Sequence, residues 1–341
     1  MTTILFTDDF ASYDLNNPNS PYFSVAVPGY PPPVDGVTSV NAGTLTVDSS
    51  VYTLSLPTDL DYHKYLVLTK QTFAAPMSNK WLIFEVEAAS NQTNLNTLPA
   101  SLFAPTGTIN GIVDAELDPR PCSGGFNVID ANLNFAFDFV ITNKMVYALY
   151  ERLPYQRTEW GGTGPNYLGF GQLFPLYSRS SPSEIVNLKI AYNYQTKKIR
   201  YLVNDRVLLE LNQLGKMANS KYSVLKYTTP DQVQSPEVVL RPTAFRVGFA
   251  NFSFFGETAP SNKFSLSNPA LVDLSLNGYL PCADPNGYND NKTPRALNSI
   301  LSYAEAGNST NFGQGNILKL QHLKVYTTTN SPGGNNISMV I

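Results

Sequence analysis

The chain has 341 residues, of which 43% are hydrophobic and 12% aromatic, enough apolar material for a large core. Only 14% of the residues are charged, and the net charge of -3 contains no block of one sign, so we expect no nucleic-acid partner. The apolar runs are too short to span a membrane, so we expect no membrane partner. Frequent Tyr, Phe, Pro and Gly residues favour strands joined by turns over a disordered or coiled-coil chain.

The N-terminal sequence, MTTILFTDDFASYD, has no basic residue and no apolar stretch of signal-peptide length. We therefore expect a cytoplasmic protein, provided that no leader has been removed. Cys122 and Cys282 are the two cysteines, and each lies beside a proline in a loop-like stretch. A reducing compartment disfavours a disulfide, and the sequence leaves their pairing open.

Strand patterns with short turns between them occur along most of the chain. Two further stretches have helical patterns, residues 211–219 and 294–307. The predicted strands are residues 3–6, 43–50, 51–56, 81–89, 134–142, 145–152, 186–194, 198–203, 206–211, 243–255 and 322–328.

This succession, without alternation of strands and helices, predicts an all-β chain that folds as two packed antiparallel sheets with one or two short helices. We predict a single β-sandwich domain over residues 1–341. A polar, Pro- and Gly-containing segment around residues 90–127 is expected to be a long insertion, and residues 256–341 an irregular C-terminal extension.

The hairpin VNLKIAYNYQTKKIRYLVNDRVLLELNQLG resembles a recurring segment of the concanavalin A-like lectin/glucanase superfamily, which includes laminin-G-like modules. The run FDFVITNKMVYALYERLPYQR, with LDYHKYLVL upstream, is similar to an uncharacterised bacterial and fungal domain family thought to share that fold. The resemblance implies a jelly roll. Hydrolases of the superfamily place carboxylates as E-x-D-x-x-E or E-x-D-x-E on one strand. Here residues 85–90 have Glu at the central position and lack the third carboxylate, so those catalytic residues are not carried over, and neither are lectin calcium ligands.

Two strands carry candidate carboxylates. In WLIFEVEAA, alternation places Glu85 and Glu87 on one face with about 6.6 Å between their backbones, a separation that could serve an acid and a base. The alternative is an ordinary solvent-facing edge. Asp138 is the lone charge in the apolar strand NFAFDFVIT, opposite in face to its phenylalanines. If buried, it must be paired or protonated, so it could accept a proton, anchor a ligand or brace a loop.

Aromatic and charged residues gather at the end of the next strand and lead into the Gly-rich loop EWGGTGPNYLGFG. Aromatic rings stack on sugars and Arg binds carboxylates through two hydrogen bonds, so this segment is the predicted ligand-binding region. The alternative is a packed aromatic corner. The predicted ligand-binding residues are Tyr147, Tyr150, Glu151, Arg152, Tyr155, Arg157 and Trp160.

His63 has Asp61 two residues before it, and a His–Asp pair can orient a general base. Because His63, Asp138 and Arg152 are odd polar residues in apolar strands, we predict that the three line one cavity. No nucleophile elbow, phosphate-binding, dinucleotide or metal-binding motif is present, so we expect neither a cofactor nor a metal.

Three functions remain open. The first is a ligand-binding jelly roll that recognises a glycan or small organic molecule on a concave sheet face. The second is a cofactor-independent intracellular enzyme with acid–base chemistry on a small organic or sugar substrate, such as a biosynthetic cyclase or isomerase or a glycoside-active enzyme. The third is a structural or assembly protein. Fold does not decide among them, and the sequence leaves the oligomeric state open. Ligand binding is the preferred interpretation.

Overall fold

The computed structural model describes residues 1–25, 35–50, 52, 63–97, 114–153, 155–156, 167–228, 241–253, 314–334 and 336–341. These residues form seventeen strands. In chain order they are β1 (Thr2–Asp8), β2 (Tyr22–Ser24), β3 (Val37–Asn41), β4 (Thr44–Ser49), β5 (His63–Thr69), β6 (Phe73–Ala74), β7 (Trp81–Thr93), β8 (Ser123–Asp130), β9 (Phe135–Ile141), β10 (Met145–Arg152), β11 (Phe170–Ser178), β12 (Val186–Asn193), β13 (Lys198–Val203), β14 (Arg206–Leu211), β15 (Leu225–Thr228), β16 (Ala244–Phe252) and β17 (Gly315–Thr328).

The strands form two antiparallel sheets. The first sheet has the order β14-β13-β12-β7-β17-β4-β3, and β1 pairs with the remaining length of β17. The second sheet has the order β15-β11-β10-β9-β8-β16-β5-β2, with β6 beside β16. The predicted all-β, two-sheet jelly-roll sandwich is confirmed.

The core lies between the two sheets and follows the predicted alternation of side chains. Leu82, Phe84 and Val86 of β7 point into it from the first sheet. From the second sheet, alternate phenylalanines of β9 pack inward, and Phe137 stacks on Tyr150 with ring centroids 5.8 Å apart. Buried aromatic and aliphatic side chains from both sheets therefore supply the hydrophobic free energy that holds the sandwich together.

Strands of the two sheets extend into both segments that the sequence predicts to be irregular, residues 90–127 and 256–341. Strand β7 continues through Thr93 and β8 begins at Ser123, so residues 90–93 and 123–127 belong to the sheets rather than to an insertion. Within residues 256–341, β17 pairs with β7, β4 and β1 in the interior of the first sheet. The predicted strand 322–328 is the second half of β17, so this part of the expected extension is integral to the sandwich.

The predicted helix at residues 211–219 is wrong. Leu211 ends β14 and packs in the core together with Leu214, and the following residues form turns. Gly215 has a φ of +91°, which an α-helix excludes. The described ranges contain two single-turn 3₁₀ segments, Leu95–Thr97 and Ser220–Tyr222. The other predicted helix, residues 294–307, lies outside the described residues.

The second strand of the hairpin predicted between residues 43–50 and 51–56 lies outside the described residues apart from Tyr52, so this hairpin stays a prediction. Strand β4 pairs with β3 on one side and with β17 on the other. No helix in the described ranges has the length and apolar character that a membrane crossing requires.

Candidate functional site

A groove of about 540 Å³ lies on the outer face of the first sheet. Its floor is formed by neighbouring segments of β7 and β17, and one rim is the loop between β11 and β12. The volume is within the range of small-molecule sites. The described residues that line it are Thr44, Glu87, Ala89, Ser90, Asn91, Pro182, Ser183, Ile185, Ile317, Lys319 and Gln321.

The floor arises from strand alternation. On β17, Leu318 and Leu320 enter the core, so Ile317, Lys319 and Gln321 point outward. In the antiparallel register, Ile317 pairs with Asn91, Lys319 with Ala89, and Gln321 with Glu87. Polar side chains therefore surround an aliphatic strip on adjacent strands.

A β-bulge interrupts β17 at the end of the groove. The register with β7 shifts between Gln321 and Lys324, and His322 has a φ of +51°. On the edge of β17 opposite β7, the paired strand changes from β4 to β1 at this bulge. Gln321 Nε2 donates a hydrogen bond to Thr44 Oγ1 at 2.5 Å across the junction. Bulges of this kind redirect side chains and are frequent beside functional sites.

The two predicted glutamates of β7 differ in their partners. Glu85 forms an ion pair with Lys189 at 3.3 Å and accepts a hydrogen bond from Asn187 Nδ2 at 3.0 Å. Glu87, half-buried, lines the groove together with the exposed Lys319, and neither makes an ion pair or side-chain hydrogen bond with another described residue. The groove thus contains one carboxylate and one ammonium group that no described side chain neutralises.

Arg179 connects the rim of the groove to both sheets. Its side chain is buried, and Nη1 donates to the carbonyl oxygens of Thr142 and, at 2.8 Å, Ser90. Nη2 donates to the carbonyl oxygens of Pro182 at 3.0 Å and Glu184 at 2.9 Å. Burial lowers the pKa of Arg179 to about 10, so the guanidinium remains charged at neutral pH.

The Glu184 carboxylate completes the rim. It accepts hydrogen bonds from the Ser180 backbone N–H at 2.5 Å, the Ser180 hydroxyl at 2.7 Å and the Tyr177 hydroxyl at 2.7 Å. These hydrogen bonds hold its pKa below the usual value. The loop carrying Pro182 and Ser183 is therefore held by hydrogen bonds at both ends, which makes the groove preformed.

Asp138 lies on the outer face of the second sheet and is buried. Burial raises its pKa well above the ordinary value, and the charge of Glu151 on β10 raises it further. The Val128 backbone N–H donates to Asp138 Oδ1 at 3.3 Å, and the Asn127 side chain also hydrogen-bonds to this carboxyl, which partly offsets the rise. Glu151 is two positions beyond Leu149, the cross-strand partner of Asp138, which places the two backbones about 7 Å apart.

The predicted ligand-binding residues of β10 divide between the two faces of the second sheet. Tyr150 is in the core, where its hydroxyl accepts a hydrogen bond from Gly215 N at 2.7 Å. Tyr147 is on the outer face, and its hydroxyl donates to the Leu117 carbonyl at 2.6 Å.

The remaining residues of that segment lie near its end. Arg152 donates to the Gly215 carbonyl at 3.1 Å and stacks on the Tyr167 ring at 4.2 Å. Tyr155 is half-buried. Arg157 and Trp160 lie outside the described residues, so their predicted contribution stays a prediction.

The prediction that His63, Asp138 and Arg152 line one cavity is wrong. Arg152 has the same strand parity as Tyr150 and Asp138 the opposite parity, so their side chains leave opposite faces of the sheet. The backbone of His63 pairs with Phe252 at the other end of the sheet, four strands from β10, which places it roughly 30 Å from that of Arg152. Alternation in the sequence predicts which sheet face each side chain is on, but it does not predict where in the sheet each residue lies.

Most groove residues were not singled out from the sequence. Lys319 and Gln321 follow the alternation of NILKLQ and could have been recognised as outward-facing. Their position beside Glu87 depends on a pairing between strands more than two hundred residues apart in the chain. Arg179, in YSRSSPSEI, has no local signal that distinguishes it from a surface arginine. Over the ranges described, no three His, Cys, Asp or Glu side chains gather as a metal site would require.

A sequence profile for a family of unknown function, DUF6081, matches residues 7–329. The chain is a DUF6081 protein. It is 24% identical to the uncharacterized protein L829 of Acanthamoeba polyphaga mimivirus, over 86% of this chain and 82% of that protein.

Solved structures similar to this DUF6081 protein include an endo-1,3-beta-glucanase, the protein LamAcat and a lectin. An endo-1,3-beta-glucanase from Streptomyces sioyaensis has a TM-score of 0.43 and 9% identity over 96% of this chain and 97% of that chain. LamAcat from Zobellia galactanivorans has a TM-score of 0.40 and 11% identity over 95% of this chain and 97% of that chain. A Bauhinia forficata lectin in complex with GalNAc has a TM-score of 0.30 and 9% identity over 97% of this chain and 99% of that chain. At these TM-scores the similarity assigns no function to the DUF6081 protein.

The raised pKa of Asp138 predicts a specific pH dependence of stability. Because the folded state retains a proton that the unfolded carboxyl loses near pH 4, the free energy of unfolding should fall as pH rises from about 4 toward the folded pKa. Asp138→Asn should remove this part of the fall and be more stable than the parent at neutral pH. Urea titrations between pH 4 and 8 measure it.

The matched control for Asp138 is Asp114→Asn, a half-buried carboxyl whose pKa is lowered by its hydrogen bond with Lys144. This variant should keep the fall in stability at rising pH. Equal pH slopes for the parent and Asp138→Asn would contradict the assignment.

Replacing Arg179 should loosen the rim and lower overall stability. Arg179→Met leaves several buried carbonyl oxygens without a donor, so we expect a loss of about 3 kcal/mol or more in the free energy of unfolding. The Glu184 amide, which donates to Ser181 O at 3.1 Å, should exchange its hydrogen faster. Hydrogen exchange and denaturant unfolding measure both effects, and the exposed Arg206→Met serves as control. Unchanged protection of the 180–185 loop would show that Arg179 does not hold it.

Proposed function

We propose that this DUF6081 protein binds a polyhydroxylated ligand, one or two units of a glycan, in the groove on the first sheet. The observation that carries the proposal is the groove itself, a preformed recess of about 540 Å³ with hydrogen-bonding side chains around an aliphatic floor. A sugar ring presents hydroxyls at its edge and C–H groups on its faces. The arrangement of Asn91, Gln321 and Ser183 around Ala89 and Ile317 is complementary to both.

The rim strengthens this proposal. A loop that is already ordered before binding loses little conformational entropy when a ligand arrives, so more of the contact free energy appears as affinity. Hydrogen bonds of Arg179 and Glu184 keep this loop ordered, and neither residue lines the groove.

Binding without turnover fits the described lining. Glycoside hydrolysis ordinarily requires two carboxyl groups about 5–10 Å apart across the scissile bond. Glu87 is the single carboxylate among the described lining residues, and its neighbour on the same face, Glu85, is paired with Lys189. The groove therefore has hydrogen-bonding groups for recognition but lacks a carboxyl pair within its described lining.

Filling the groove should abolish binding. Ser183→Trp places a large ring at the rim where it occupies the recess, whereas Ser181→Trp adds the same ring to the same loop outside the lining. A glycan array with the full-length chain, followed by calorimetric titration of the strongest hit, should show at least a tenfold loss for Ser183→Trp and near-parental affinity for Ser181→Trp. Equal affinities for the two variants would place the bound glycan elsewhere.

A second candidate function, acid–base catalysis without a cofactor, is supported by Asp138 and Glu151. Burial raises the pKa of Asp138, which favours its protonated form as a proton donor, and a neighbouring carboxylate can accept a proton. A panel of nitrophenyl glycosides tests this candidate. Turnover that Asp138→Asn removes and Glu85→Gln retains would support it, and no turnover on any member by the folded parent would contradict it.

A further inference from the structure

We infer that the ligand of the groove carries both a positive and a negative charge, as an amino sugar with a carboxylate does. This inference rests on the proposed function and specifies the chemical class of the ligand. It is based on the different environments of the charged residues on the outer face of the first sheet.

Several charges on the outer face of the first sheet are neutralised within the protein. Glu85 binds Lys189 at 3.3 Å, and Lys189 also binds Asp205 at 2.6 Å. Further along the same face, Arg200 binds Glu210 at 2.7 Å and stacks on Trp81. Each of these charges has a partner of opposite sign on a neighbouring strand or turn.

Glu87 and Lys319 depart from this arrangement. Lys319 pairs in register with Ala89, the outward-facing residue that follows Glu87 on β7, so the two charges are diagonal neighbours with backbones about 7 Å apart. Long side chains can bridge a diagonal of this length, yet no ion pair forms between Glu87 and Lys319. Both charged groups instead line the recess, one on each strand of its floor.

A ligand with charges of both signs would complement this pair. Its ammonium group would approach the Glu87 carboxylate and its carboxylate would approach the Lys319 ammonium, while hydroxyls bind Asn91, Gln321 and Ser183. Electrostatic complementarity of this kind contributes more to selectivity than to total affinity. For partly solvated pairs we therefore expect a modest gain for each matched charge, about fivefold in Kd.

The test uses four monosaccharide probes that share the gluco ring and differ only in the groups at C2 and C6, which carry the charges: glucose, glucosamine, glucuronic acid and 2-amino-2-deoxyglucuronic acid. Affinities for the full-length chain are measured by ligand-observed NMR at low salt. We expect the zwitterion to bind most tightly and glucose most weakly, with the singly charged sugars between them. Raising the salt concentration should reduce these differences.

Two variants assign the charges. Glu87→Gln should lose the preference for glucosamine over glucose and keep the preference for glucuronic acid, and Lys319→Met should do the reverse. Glu85→Gln is the matched control, because the same substitution two residues away removes a carboxylate outside the groove. It should keep both preferences.

The outcomes separate the inference from the proposed function. If all four probes compete for the groove with equal affinity, and Ser183→Trp abolishes their binding, the groove is a sugar site and the charge inference is wrong. If none of the probes and no arrayed glycan binds to the folded chain, the proposed function fails and the inference fails with it. Preferences that persist in both Glu87→Gln and Lys319→Met would also overturn the inference.

Discussion

The buried guanidinium of Arg179 is the interaction on which the groove depends. Removing a charge from water costs several kcal/mol, and here the direct hydrogen bonds that compensate come from neutral carbonyl oxygens, with a further contribution from the nearby charge of Glu184. These carbonyls belong to β7 of the first sheet, to the turn after β9 of the second sheet, and to the loop before β12. One side chain thus fixes the two sheets and the rim relative to each other.

The first sheet extends this rigidity to the floor. Strand β7 and strand β17 pair over most of their lengths, and β17 is edged by β4 along one half and by β1 along the other. The bulge at Gln321–Lys324 lies at the change of partner. The bulge therefore marks both the change of neighbouring strand, from β4 to β1, and the end of the groove.

The fold was predictable from the sequence because its signal is local. Alternation in WLIFEVEAA and NFAFDFVIT assigns Phe84 and Phe137 to the core and Glu87 and Asp138 to the outer faces, as the structure has them. The helix expected after β14 failed because leucines that pack in the core, among them Leu214, mimic helical spacing over a short stretch. In that stretch the tertiary contacts override local propensity.

The site was less predictable because it depends on long-range register. Glu87 was recognised as a candidate, but its neighbours Lys319 and Gln321 come from the last strand of the chain. The expected convergence of polar residues failed for the same reason, since alternation gives a face and not a position on it. Arg179 could be recognised only from its burial and its hydrogen-bond partners, which no sequence pattern encodes.

A crystal structure of the full-length chain soaked with its best-binding sugar tests the central claim most directly. We expect ligand density in the recess on the first sheet, within hydrogen-bonding distance of Glu87 and Gln321, with the 180–185 loop unchanged from the unliganded crystal. Ligand density over the opposite sheet, with the recess filled by solvent alone, would contradict that claim.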